Sequence, residues 1–134
     1  MANYYQPEIE TMPYEELRAL QNERLVKQVQ HVWDNVPYYR AKMEAKGVTP
    51  ADIQGVDDLH KLPFLTKADL REAYPYGLMG KPKSECVRIH STSGTTGKRV
   101  MAFNTQHDVD LWEDCCARAI VAAGGTKEDV LHVS

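Results

Sequence analysis

The sequence predicts an α/β fold in two parts, on three observations. Residues 1–84 carry helical apolar spacing broken repeatedly by proline. Residues 85–134 change to a strand, a loop rich in hydroxyls and glycine, a second strand, an amphipathic run and a last stretch with strand character. Strands interleaved with a helix in that order belong to an α/β domain. The composition is that of a soluble globular chain, 43% hydrophobic and 26% charged over 134 residues, enough for one domain with a core.

Taken in order, residues Met1 to Glu10 lack periodicity and contain Pro7, which predicts an extended arm. Pro13 suits a first helical turn, with Glu15 and Glu16 placed favourably near the positive end of the helix dipole. Leu17, Leu20, Leu25, Val29, Val32 and Trp33 recur at helical spacing and predict an amphipathic core helix from Pro13 to about Asp34. Asn35-Val36-Pro37 breaks it. A second helix follows from Tyr38 to about Lys46, stopped by Gly47. Thr49-Pro50 starts a further turn, and Asp57-Asp58-Leu59 another, ending near Leu62-Pro63. Thr66 caps a short helix with Asp69 three residues on, a capping-box arrangement, and Tyr74-Pro75-Tyr76-Gly77 ends it.

The second part begins with Cys86–His90, a strand with Val87 and Ile89 on one face, and resumes with a strand at Val100–Phe103. Thr105 is the N-cap of a helix whose buried face is Val109, Trp112, Ala119, Ile120 and Ala123, ended by Gly124-Gly125. Asp129–Ser134 has the pattern of a strand just starting. Three strands are too few to close such a domain, so the chain is expected to be the N-terminal part of a longer polypeptide.

Between the two strands lies Ser91-Thr92-Ser93-Gly94-Thr95-Thr96-Gly97-Lys98. Glycines let backbone approach a ligand closely, and successive N–H groups can form a concave anion nest. Hydroxyls add donors and Lys98 a positive charge, so a phosphate chain is the ligand expected. The loop is not a Walker A motif: two residues, not four, separate Gly94 from Gly97, and Arg99 follows the lysine.

The rest of the composition excludes several classes. A net charge of −3 leaves no basic stripe for nucleic acid. No apolar run is long enough to span a membrane and no signal sequence opens the chain, so the expected location is cytoplasmic. The three cysteines, Cys86, Cys115 and Cys116, are odd in number, and the adjacent pair is badly placed for a mutual disulfide. Metal-ligand spacings are lacking, so no metal site is expected within the chain.

Three stretches occur in order: Asn35-Val36-Pro37-Tyr38-Tyr39-Arg40, then Leu62-Pro63-Phe64-Leu65-Thr66-Lys67-Ala68-Asp69-Leu70-Arg71, then Arg88-Ile89-His90 running into the loop at Ser91–Lys98. The loop resembles the phosphate-binding loop of the adenylate-forming enzymes. Ser93 to Gly97 matches without a gap, and Arg99 stands where a loop-stiffening proline is usual. The three stretches together resemble the N-terminal part of the phenylacetate–CoA ligases, one branch of that superfamily, over nearly the whole chain from about Pro13.

The resemblance implies the N-terminal portion of a large domain: a helical segment over 1–84 and the start of an ATP-binding α/β domain over 85–134. It implies ATP and coenzyme A as co-substrates, Mg²⁺ on the phosphates, and an aryl acid, phenylacetate first. The acid and ATP would give an acyl-adenylate and diphosphate, and CoA would then displace AMP. Ser93, Gly94, Thr95, Thr96, Gly97 and Lys98 would clamp the β- and γ-phosphates. Lys67 is a separate expectation from its position: a cation in the first turn of a helix, where the dipole prefers negative charge, would reach the triphosphate beside them, the alternative being a solvated surface lysine. The catalytic, acyl and adenine contacts are expected beyond Ser134. Benzoate or indoleacetate in place of phenylacetate, a relative that stops at nucleotidyl transfer, and a non-catalytic phosphate-binding module are the alternatives; a homodimer is compatible with each.

Overall fold

The computed structural model describes residues 3–93, 99–130 and 132. A helical body comes first. Helix α1 (Pro7–Glu10) is one turn, α2 (Tyr14–Asn35) is the long helix, and α3 (Pro37–Ala45) folds back on it. Two 3₁₀ turns (Pro50–Asp52, Val56–Lys61) and α4 (Lys67–Glu72) complete this body. An antiparallel hairpin, β1 (Cys86–Ser91) and β2 (Met101–Thr105), then leads into α5 (Gln106–Ala122).

Local chemistry sets most of these boundaries. Pro13 caps α2, and Pro37 occupies the first turn of α3, where its missing N–H costs nothing. Gly47 ends α3 at φ +70°, with its N–H on Glu44 O and the Val48 N–H on Met43 O, both at 2.9 Å. Gly124 ends α5 in the same way at φ +96°. These are Schellman closures, which need a residue tolerant of the left-handed region.

The core sits between α2, α3 and the 3₁₀ turns. Met43 is 0% and Ile53 1% exposed; Val29 and Val48 join them, and Leu25, Trp33, Tyr39 and Leu62 pack around. The Asn22 side chain draws the second 3₁₀ turn onto α2 by accepting the Val56 N–H at 2.9 Å. A Cβ on Gly55 would lie 2.6 Å from that same Asn22 oxygen, so glycine permits the close approach.

Three expectations change. Residues 7–10 form α1 and are not an extended arm: Pro7 opens the turn, and the Glu10 carboxylate reaches back to accept the N–H groups of Tyr5 and Gln6 at 2.8 and 2.7 Å. The register shifts between Cys86 and Arg88, leaving Val87 unmatched in the ladder, so the strict alternation expected there breaks. Asp129 and Val130 are not strand; Asp129 closes a turn by accepting the Thr126 N–H at 2.8 Å. Leu131, Val133 and Ser134 lie outside the described residues.

The helix expected after the hairpin is present with its Thr105 cap, but of its apolar face Val109 is buried whereas Trp112 and Ile120 stay exposed. Among the described residues no helix is long and apolar enough to cross a membrane.

Candidate phosphate-binding loop and its surroundings

The hairpin frames the loop. Ser91 pairs with Met101, and beyond that pair the Thr92 N–H donates to Val100 O at 3.1 Å. The Val100 N–H returns to the Thr92 hydroxyl, also at 3.1 Å. The ladder therefore closes at Thr92 and Val100, and residues 93–99 form the connection. Of the expected clamp, Ser93 is described and exposed; Gly94, Thr95, Thr96, Gly97 and Lys98 lie outside the described residues.

Helix α5 packs on β2, with the His90 ring edge-on to Trp112 at 5.4 Å. On the other side Tyr76 stacks on Phe103 at 5.5 Å and takes the Lys83 ammonium on its ring at 3.5 Å. A cleft of about 910 Å³ separates this unit from the helical body, running between Gln28 and His31 of α2, the Leu78–Lys81 segment and β2. Gly80 comes close to His31 here, where a Cβ would sit 3.0 Å from Nε2. No local pattern in the sequence signals this cleft, because it lies between elements far apart in the chain.

The first two stretches singled out in the sequence meet in space. From α3, the Tyr38 hydroxyl lies 3.0 Å from Asp69 Oδ1 and 3.1 Å from Glu72 Oε2. Lys42 Nζ reaches Asp69 Oδ1 at 2.5 Å. The other Asp69 oxygen accepts the Thr66 N–H at 2.6 Å and the Thr66 hydroxyl at 2.7 Å, the capping box expected at α4. Tyr39 donates to Pro63 O at 2.8 Å, and Arg40 Nε to Trp33 O at 2.8 Å.

The Lys42 ammonium and the Thr66 donors hold the Asp69 carboxyl well below the usual carboxylate range. Burial, together with the two neighbouring carboxylates, pushes the Tyr38 phenol up to about 12. Lys67 is the first residue of α4, exposed, and without a hydrogen bond or ion pair to another described residue.

The comparisons bear on what such a chain is. No family model matches it. It is 44% identical over 128 residues to the phenylacetate–coenzyme A ligase of Thermus thermophilus, covering 96% of this chain and 29% of that protein. It is 46% identical over 126 residues to the phenylacetate–coenzyme A ligase of Escherichia coli, covering 94% and 29%.

By sequence, this chain matches a segment of proteins named phenylacetate–coenzyme A ligase.

It spans 29% of the length of these curated relatives. The fold agrees with that of adenylate-forming CoA ligases. A 2-hydroxyisobutyryl-CoA ligase in its postadenylation state with 2-HIB-AMP superposes at TM-score 0.83 and 30% identity, over 94% of this chain and 27% of that one. The same enzyme with 2-HIB-AMP and CoA in the thioesterification state gives TM-score 0.77 at 32% identity, over 86% and 25%. This chain thus brings a helical body, a hairpin and a following helix into an arrangement shared with those two structures.

Proposed function

We propose that the full-length protein is an ATP-dependent CoA ligase for an aryl acid, with phenylacetate the first candidate. The supporting observation is the 44–46% identity to proteins named phenylacetate–coenzyme A ligase along 94–96% of this chain. Residues 1–84 would be the helical segment and 85–134 the start of the ATP-binding domain, in a cytoplasmic enzyme able to form a homodimer.

The first step is attack of a carboxylate oxygen on the α-phosphorus of ATP, with diphosphate leaving. Like charges must approach, and the leaving group gains charge. Donors fixed in advance around the β- and γ-phosphates oppose both costs. Ser93, Gly94, Thr95, Thr96, Gly97 and Lys98 supply backbone N–H groups, hydroxyls and an ammonium for that clamp, in a loop whose two ends β1 and β2 hold together. Lys67 would add a second ammonium: Asp69, the nearest acid on its own helix, already has both oxygens engaged. The CoA thiolate would then attack the acyl carbon and expel AMP.

Among the described residues no group of three or more His, Cys, Asp or Glu side chains could hold a metal ion. Mg²⁺ would arrive on the ATP phosphates and need few protein ligands, as it commonly does in nucleotide sites.

The test is exchange of labelled diphosphate into ATP by the full-length protein across a panel of acids. Exchange that depends on phenylacetate, and responds weakly to benzoate or 2-hydroxyisobutyrate, is expected. Exchange led by a different acid would replace phenylacetate; none with any acid would remove the ligase activity.

A further inference from the structure

Helix α4 has six residues and buries none of them, and a helix this short is unstable alone. Its Thr66 capping box fixes the first turn but not the direction in which the helix lies on the body. That direction is set from α3. Tyr38 and Lys42 are four residues apart, on one face of α3, and both reach α4. The Tyr38 hydroxyl lies within hydrogen-bond distance of acids three residues apart, Asp69 and Glu72, so it grips the helix along its length. Lys42 holds the start of the helix through Asp69 Oδ1.

This grip also decides where the Lys67 charge can go. Asp69 is the acid nearest in sequence to Lys67, but Lys42 and Tyr38 occupy one of its oxygens and Thr66 the other. Lys42, Lys46 and Lys61 each contact a carboxylate or carbonyl oxygen, whereas Lys67 bonds to no other described residue.

We infer that Tyr38 and Lys42 are positioning residues for Lys67. They orient the helix that carries it and withhold its nearest counterion, leaving the ammonium for an external polyphosphate. This rests on the proposed contact between Lys67 and the ATP phosphates.

The test is steady-state ATP kinetics of the full-length protein, at a temperature well below the lowest melting midpoint of the variants. Lys67→Ala is expected to raise the KM for ATP. Tyr38→Phe and Lys42→Met are expected to raise it about three- to tenfold, the size of one ordinary net hydrogen bond, with the acid's KM little changed. Lys42→Arg should recover most of the loss. Tyr38→Phe added to Lys67→Ala should raise KM no further, because both act through one ammonium.

A normal KM in Lys67→Ala would remove the phosphate contact and this inference with it. A raised KM in Lys67→Ala, with normal values in Tyr38→Phe and Lys42→Met, would overturn the positioning role alone. Additive increases in the double variant would do the same.

Discussion

The helical body and the hairpin–α5 unit differ in how they are held together. Residues 3–84 contain Val29, Val36, Met43, Val48, Ile53 and Ala73 among the buried apolar side chains, against Val109 alone in residues 99–130. They also carry cross-element polar bonds: Arg18 to Asp57, Asn22 to Val56, Tyr38 and Lys42 to Asp69. The second unit leaves Val87, Ile89, Leu111, Trp112 and Ile120 exposed, although the period of α5 is that of a helix with a buried face. Both units expose apolar side chains, Phe64 and Tyr14 in the body among them, but the body has a packed core and cross-element bonds, whereas the second unit has little core of its own among the described residues and carries the loop. Stability and the proposed chemistry should therefore separate between them.

The largest effect that tests this separation is at the loop. Gly97→Val in the full-length protein should lower the diphosphate exchange rate by about a hundredfold or more, the scale of a lost oxyanion donor, with little change in melting temperature. A β-branched residue resists a positive φ and blocks close approach of a phosphate. If melting temperature falls in step with activity, the loop is part of the structural framework and the contrast fails.

Next in size is the core. Met43→Ala in the 134-residue chain should cost about 2–5 kcal/mol, for lost burial plus a cavity. Leu111→Ala, on the exposed face of α5, should stay within about 0.5 kcal/mol, as surface changes do. Urea unfolding measures both, and equal losses would show that α5 packs as tightly as the body.

The smallest effect is one of pH. Thr49/Asp52, Thr66/Asp69, Thr105/Asp108 and Thr126/Asp129 repeat one motif, in which the Thr N–H and hydroxyl donate to a single Asp oxygen at 2.6–2.9 Å. These bonds lower all four carboxyl pKa values, with the Lys42 ammonium the largest cause at Asp69. A depressed folded-state pKa stabilises above the unfolded value of about 3.9, and the gain is lost as pH falls through the depressed values. Melting temperature should drop below about pH 4, and Asp69→Asn should flatten that limb more than Asp129→Asn. The raised Tyr38 phenol acts at the other end: its contribution is present below about pH 10 and is lost as pH rises through about 12. Tyr38→Phe should remove that share of the alkaline loss.

What was legible in the sequence was what neighbours in the chain decide. Pro13, Pro37, Gly47, Thr66, Thr105 and Gly124 mark element ends by backbone chemistry that acts within a few residues, and the structure places those ends within a residue or two of expectation. Pro7 misled, because proline opens a helical turn as readily as it extends a chain; the bonds from Glu10 to Tyr5 and Gln6 favour the turn. Thr126–Asp129 was legible by the same rule as Thr66–Asp69, but the apolar alternation after it suggested a strand. Tyr38 and Asp69 lie 31 residues apart, and the cleft between α2 and β2 spans more; such meetings depend on how elements pack. Six loop residues and Lys67 were singled out; Ser93 and Lys67 fall among the described residues, both exposed.

The four Thr–Asp pairs are not equivalent, and the difference bears on folding cooperativity. In three of them the carboxylate makes no hydrogen bond to another helix or strand among the described residues, so starting the turn is a private, local event. In Asp69 the same carboxylate nucleates α4 with one oxygen and docks it on α3 with the other. Neither half is at full strength without its partner: an uncapped α4 presents Asp69 poorly to Lys42, and an undocked α4 is one turn and a half of unsupported helix. Cap and dock of α4 are therefore expected to be lost together, in place of α4 fraying from either end alone.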